Sequence, residues 1–246
     1  METIVDLTSL IYFICTIVGL IVASSKTSVA IGLIRDLAQP LGLIGFLIGL
    51  ISIFASTEDM KSLGAAIAIA IVVVLYFSVV SGLIGFSNPV VESSQGFKKH
   101  LGFIILASTI IWSIKSISAD FDIYFDANAL AIVIAGCIII WFGEGFLGLN
   151  KNRWGEKLLG IAAAGFLVGF IGVVAFVNEP LKIGPNLAVA YLTPLYCFIL
   201  LVIGRIYWPE RVLDDNSKMP TGFLSLTTPT LCGTAITIGI VLIGLS

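Results

Sequence analysis

Charged residues leave seven long stretches of this chain untouched: 7–25, 37–57, 62–91, 127–143, 158–178, 183–204 and 219–246. An eighth apolar stretch, 101–118, is interrupted only by Lys115 near its end. A helix rises ~1.5 Å per residue, so about 20 residues cross ~30 Å of hydrocarbon. Each stretch suits one crossing and none suits two. The pattern predicts eight transmembrane helices, near 7–24, 37–56, 63–86, 101–118, 127–147, 158–177, 184–207 and 224–245. Strands of a membrane barrel would alternate over ~10 residues, whereas Ile67–Leu75 and Ile132–Trp141 are apolar throughout. The predicted fold class is therefore all-α, a polytopic membrane protein.

The connectors set a direction. Those after the first, third, fifth and seventh spans hold ten basic residues: Lys26, Arg35, Lys98, Lys99, Lys151, Arg153, Lys157, Arg205, Arg211 and Lys218. The other side holds Lys61 and Lys182, with Lys115 snorkelling outward. The positive-inside rule then places both termini outside. The first span is preceded by Glu2 and Asp6 and no basic residue, the wrong sign for a signal peptide. The longest polar connector, about 208–222, is too short to bury a core of its own.

Composition agrees and narrows the function classes. Of the 246 residues 58% are hydrophobic and 11% charged, with a mean hydropathy of +1.10. A soluble domain carries roughly a quarter charged residues, so an ordinary cytosolic enzyme and a nucleic-acid binder are excluded. Cys15, Cys137, Cys197 and Cys232 all fall inside predicted spans without metal-ligand spacing and read as small apolar filler. No nucleophile–base set, phosphate loop or haem motif occurs, so neither an enzyme, a cofactor nor a metal is expected.

A shift of 120 residues aligns the chain with itself. Gly45-Phe46-Leu47-Ile48-Gly49-Leu50-Ile51 meets Gly165-Phe166-Leu167-Val168-Gly169-Phe170-Ile171. Further along, Gly64 meets Gly184, Ala68 meets Ala188, Ala70 meets Ala190, and Leu75-Tyr76 meets Leu195-Tyr196. With Ala55 and Ala175, eleven identities fall in the 32 positions 45–76, and Asp6 meets Asp126 before a span in each copy. Both copies start outside, so the predicted repeat is parallel, unlike the inverted repeats of many secondary transporters. Gly45 with Gly49 and Gly165 with Gly169 form GxxxG faces, which let helices pack closely in lipid.

The second copy resembles the MotA/TolQ/ExbB family, the stator subunits of ion-driven membrane motors. The resemblance lies in the Gly165-x3-Gly169-Phe170-Ile171 helix, the outer turn Glu179-Pro180-Leu181-Lys182-Ile183-Gly184-Pro185, and Ala188-Val189-Ala190-Tyr191-Leu192-Thr193-Pro194-Leu195-Tyr196. Phe125-Asp126-Ala127-Asn128-Ala129 is similar to the start of that family's second helix. The resemblance implies three units: a first repeat of three helices in 1–90, a second of four helices in 91–208, and an inner connector with a C-terminal helix in 209–246. It also implies proton or sodium transport, or motor assembly, with a single-span partner whose membrane-embedded Asp carries the ion. A homo-oligomer in a bacterial inner membrane is implied as well. The chain departs from the family pattern. Phe46 and Phe166 stand where the family has a pore threonine, Val73-Val74 and Thr193-Pro194 replace its Thr-Thr pair, and about ten residues, Gly148–Lys157, replace the cytoplasmic torque domain.

Few residues remain as ion-path candidates. Thr193 keeps a hydroxyl beside Pro194, whose missing N–H frees a carbonyl in mid-helix; a purely structural kink is the alternative. Tyr196 lies deep enough to require a hydrogen-bond partner. Glu144 lies near the inner end of its helix, either on the ion path or as an interfacial carboxylate in contact with water. Thr230, Thr234 and Thr237 share one face of the last helix. No Asp, Glu, Lys, Arg or His falls deep inside a span on this reading. Two other functions fit the same sequence: a small-solute transporter or channel with its path between the repeats, and a structural membrane subunit.

Overall fold

The computed structural model describes residues 6–56, 63–84, 96–118, 121–146, 153–175 and 180–212. Among them the chain is helical, with no strand. In order the helices are α1 (Leu7–Ala23), α2 (Thr27–Ser56), α3 (Leu63–Ile84), α4 (Phe97–Ile117), α5 (Ala127–Phe146), α6 (Trp154–Ala175), α7 (Pro180–Tyr207) and the short α8 (Pro209–Val212). A 3-10 turn, Phe121–Tyr124, leads into α5. Six of these segments are long and apolar enough to cross a membrane, and α1 is a shorter apolar helix of 17 residues. They are the helices of an integral membrane protein. The eighth predicted span, 224–245, and its threonine face lie outside the described residues.

Local chemistry explains the helix ends. Asp6 caps α1, its carboxylate accepting from the Ser9 N–H and the Ser9 hydroxyl at 2.7 Å each. Asp126 caps α5 in the same way, accepting from the Ala129 N–H at 2.7 Å. Each satisfies one of the donors that a helix start leaves without a partner. Ser24 closes α1, donating its hydroxyl to the Ile21 carbonyl at 2.7 Å.

One boundary differs from expectation by a wide margin. Charge placement puts the start of the second span at 37, whereas α2 begins at Thr27 and runs for 30 residues. That is ~45 Å of helix, longer than the hydrocarbon is thick. Its first ten residues are not a connector. Val29, Ala30, Leu33, Ile34, Leu37, Ala38 and Leu41 are all buried, at the spacing of one helix face. Apolar packing therefore continues through Arg35 and Asp36, the charges that marked the expected boundary.

Two helices form the centre. The most apolar part of α2 is 89% buried and that of α7 is 67% buried, whereas α3 to α6 lie between 17% and 28%. α2 packs against α3 on one side and α7 on another; α6 covers α7, and α4 covers α1. α5 lies at the edge against α6 and α7.

Helices cross closely at the four GxxxG glycines. A Cβ on Gly45 would sit 2.7 Å from Val73 Cγ1, and one on Gly49 would sit 3.0 Å from Ala70 Cβ. In the other pair Gly165 lies against the Thr193 side chain, and a Cβ on Gly169 would sit 2.5 Å from the Ala190 Cα. In lipid, helices associate by such packing rather than by water exclusion. The tyrosines add polar ties. The Tyr12 hydroxyl donates to the Leu41 carbonyl, and that of Tyr124 to the Ile48 carbonyl, both at 2.9 Å.

These crossings give a direct test. Gly169→Ala forces backbone against backbone and should cost about 1–3 kcal/mol by overpacking. Gly172, on the same helix, has open space around it. Gly172→Ala should leave stability unchanged or raise it by up to ~1 kcal/mol from helix propensity. Thermal unfolding of the two variants in mild detergent checks the contrast.

Candidate functional site

A charge cluster is buried between α2 and α7. Arg205, in the last turn of α7, directs its guanidinium at Asp36 of α2, with Nε and Nη2 each 2.8 Å from Oδ2. Arg35 takes the other oxygen, with Nε at 2.9 Å and Nη2 at 2.8 Å from Oδ1. The side chains of Asp36 and Arg205 are each 2% exposed, while that of Arg35 is 19% exposed.

The local sequence builds this site. Pro40, inside α2, has no N–H to offer the Asp36 carbonyl four residues earlier. A cation at the end of α7 is favoured by the helix dipole. The carboxylate accepts one hydrogen bond on each oxygen from the two Nε–H groups, and each oxygen also has a guanidinium Nη2 at 2.8 Å as an ion-pair contact. It therefore acts as a clasp between two helices. The cluster carries one negative and two positive charges, and Arg35 is the member nearest to solvent.

Asp36 and Arg205, expected in connectors, are both buried between helices. Each stands beside a charge-free stretch, so a count of charges assigns both to connectors. The signal available was the apolar period running through 29–41, which requires a helix face where a connector was expected.

The expected ion-path residues are engaged at different helix contacts. Thr193 is buried at the α6–α7 crossing, pressed on Gly165. Pro194 is buried beside it, within a helix that continues unbroken from Pro180 to Tyr207. The Tyr196 hydroxyl donates to the Tyr124 carbonyl at 2.7 Å and accepts from the Asp126 N–H at 3.2 Å, tying α7 to the start of α5. Glu144 is at the far end of α5, 18 residues or ~27 Å from Asp126. It is buried, and its Oε1 accepts from Lys157 Nζ at 2.6 Å and Trp154 Nε1 at 2.7 Å. Glu144 thus joins α5 to the first turn of α6.

A second polar tie involves α4. Lys99 donates to the Tyr207 carbonyl at 3.4 Å and lies 4.6 Å from the centre of its ring, while His100 Nδ1 is 3.0 Å from the Tyr207 hydroxyl. Near the N-terminal end of α1, a cavity of about 210 Å³ is lined in part by Asp6, Ser9, Tyr12, Gly45 and Ser113. An apolar cavity of about 570 Å³ lies between α5 and α7, lined in part by Val133, Cys137, Trp141, Tyr196 and Leu200. Among the described residues, no group of three or more His, Cys, Asp or Glu side chains could hold a metal ion.

No protein-family model matches the chain, and neither a curated protein nor a solved structure matches it.

The clasp predicts a specific pattern of stability. Removing one member of a buried ion pair leaves the other charge stranded and costs about 3–5 kcal/mol. Arg205→Leu or Asp36→Leu should each lower the unfolding temperature in detergent sharply. The double variant should recover much of the loss, because Arg35 can turn its head group toward water. A double-mutant cycle on unfolding free energies measures this coupling.

Proposed function

We propose that this chain is a duplicated membrane subunit of the MotA/TolQ/ExbB type, which supports ion transport or motor assembly together with a single-span partner. One observation carries the reading: packing and capping contacts recur at the 120-residue spacing. Gly45 meets Val73 as Gly165 meets Thr193, and Gly49 meets Ala70 as Gly169 meets Ala190. Asp6 caps Ser9 as Asp126 caps Ala129. Matched glycines in sequence thus correspond to matched contacts in space, which is what two copies of one helix set produce.

The need for a partner follows from the polar groups. Asp36 is fully engaged by two guanidiniums, Glu144 by Lys157 and Trp154, and Thr193 by close packing. An ion in hydrocarbon needs ligands. On this reading the partner supplies the carboxylate, and this chain supplies the surface that positions it. A second reading, passage of a small solute, is favoured by the partly polar cavity beside Asp6 and Ser9.

Affinity purification of the tagged full-length chain from its own membranes in mild detergent tests the proposal. It should recover a single-span protein with an Asp inside its span. Recovery of no such protein would overturn the partnership. With the complex reconstituted in vesicles, Thr193→Ala should lower ion flux; unchanged flux would remove Thr193 from the path.

A further inference from the structure

The cavity near the N-terminal end of α1 is lined by polar groups that the helices leave unused. It measures about 210 Å³ and lies between α1, α2, α3 and α4. Asp6 brings a negative charge to it, and among the described residues no Lys, Arg or His lines it. The Asp6 Oδ2 accepts both bonds from Ser9, and among the described residues Oδ1 accepts none. Ser113 of α4 is 3% exposed and lines the same cavity. A hydroxyl inside a helix can return to the carbonyl one turn back, as Thr109 does to Ile105 at 2.8 Å. The Ser113 hydroxyl does not, and among the described residues it has no hydrogen-bond partner. Leaving a buried hydroxyl unpaired is costly, so Ser113 points to an occupant.

The packing of α4 on α1 spaces these two groups. Gly102 lies against Ala23, and a Cβ on Gly19 would sit 3.0 Å from Leu106, so the helices run antiparallel. Counting along that pairing brings Ser113 beside Tyr12, six residues or ~9 Å of helix from Asp6. Gly45, Gly49, Ile53 and Val73 supply an apolar wall. A lone carboxylate facing no cation calls for one positive charge. A bare hard ion matches poorly, because such ions take about six or more oxygen ligands and the apolar wall offers none. At ~30 Å³ for each water-sized group, the cavity holds about seven non-hydrogen atoms. We propose that it binds a small primary amino alcohol. The ammonium donates to Asp6 Oδ1 beside the Thr8 hydroxyl, the carbon chain follows the apolar wall, and the far hydroxyl pairs with Ser113. The site belongs to the first copy: at the 120-residue spacing Ser9 and Tyr12 meet Ala129 and Ile132, so the second copy keeps the capping Asp126 without these hydroxyls. The inference gives the solute-passage reading a solute class and rests on that reading for passage alone; binding stands apart from it.

Isothermal titration of the purified full-length chain in mild detergent and sodium-free neutral buffer tests the site. The probe 5-amino-1-pentanol should bind saturably. Asp6→Asn keeps a helix-capping acceptor and should weaken binding by about ten-fold or more, through loss of a charged hydrogen bond. 1-Pentanol, which lacks the ammonium, should bind the unaltered chain more weakly than the probe by a similar factor. Ser113→Ala should weaken the amino alcohol several-fold and leave pentylammonium, which lacks the hydroxyl, unchanged; equal weakening of both would remove Ser113 from the site and overturn the proposed pose. No saturable binding, as when water alone fills the cavity, equal affinity in Asp6→Asn, or displacement of the probe by equimolar sodium would each overturn the proposal. Should Asp6→Asn fail to fold, the probes on the unaltered chain carry the test, and equal affinity for 5-amino-1-pentanol and 1-pentanol would overturn it. Uptake of the labelled probe into vesicles holding the chain is read separately. Binding without uptake removes the solute-passage reading and supports the site, whereas absent binding overturns the site.

Discussion

Asp36 can remain in the interior only because Arg205 and Arg35 answer its charge. Moving a carboxylate out of water costs several kcal/mol even after relaxation, and ion pairs and hydrogen bonds to two guanidiniums offset that cost. The constraint is mutual, since Arg205 is equally buried. It joins α2, from the first half of the chain, to α7, from the second. These are the two most buried helices, and the other long helices pack around them. The clasp also sets their register. Sliding one helix by a turn would strand both charges, whereas apolar contacts alone would tolerate the slip.

Around this clasp the helices are held by shape. Lipid is as apolar as leucine, so burying an apolar face against another helix brings little by itself. Close approach at Gly45, Gly49, Gly165 and Gly169 brings the backbones into dispersion contact instead. Tyrosine hydroxyls then find carbonyl acceptors across helices, as Tyr12 does on Leu41 and Tyr196 on Tyr124.

Polar groups in this fold are committed to holding helices together. Glu144 serves the α5–α6 junction, Tyr196 the α5–α7 junction, and Asp36 the α2–α7 junction. Side chains committed in this way are not available to a transport path. This is why the proposed function assigns the ion-carrying carboxylate to another protein.

Much of this was legible in the sequence. Charge-free stretches of about 20 residues identify spans, because hydrocarbon excludes charge, and the predicted starts at 7 and 127 agree with α1 and α5. The glycine pattern marks close crossings, since a missing Cβ matters only where another backbone arrives. Two things could not be read this way. A charge count marks the edge of hydrocarbon and not the end of a helix, so it cut α2 short by ten residues. It also treated Asp36 and Arg205, 169 positions apart, as separate connector charges. Only the tertiary structure brings them together, because the pairing of two distant charges depends on how their helices pack and leaves no local pattern in either segment.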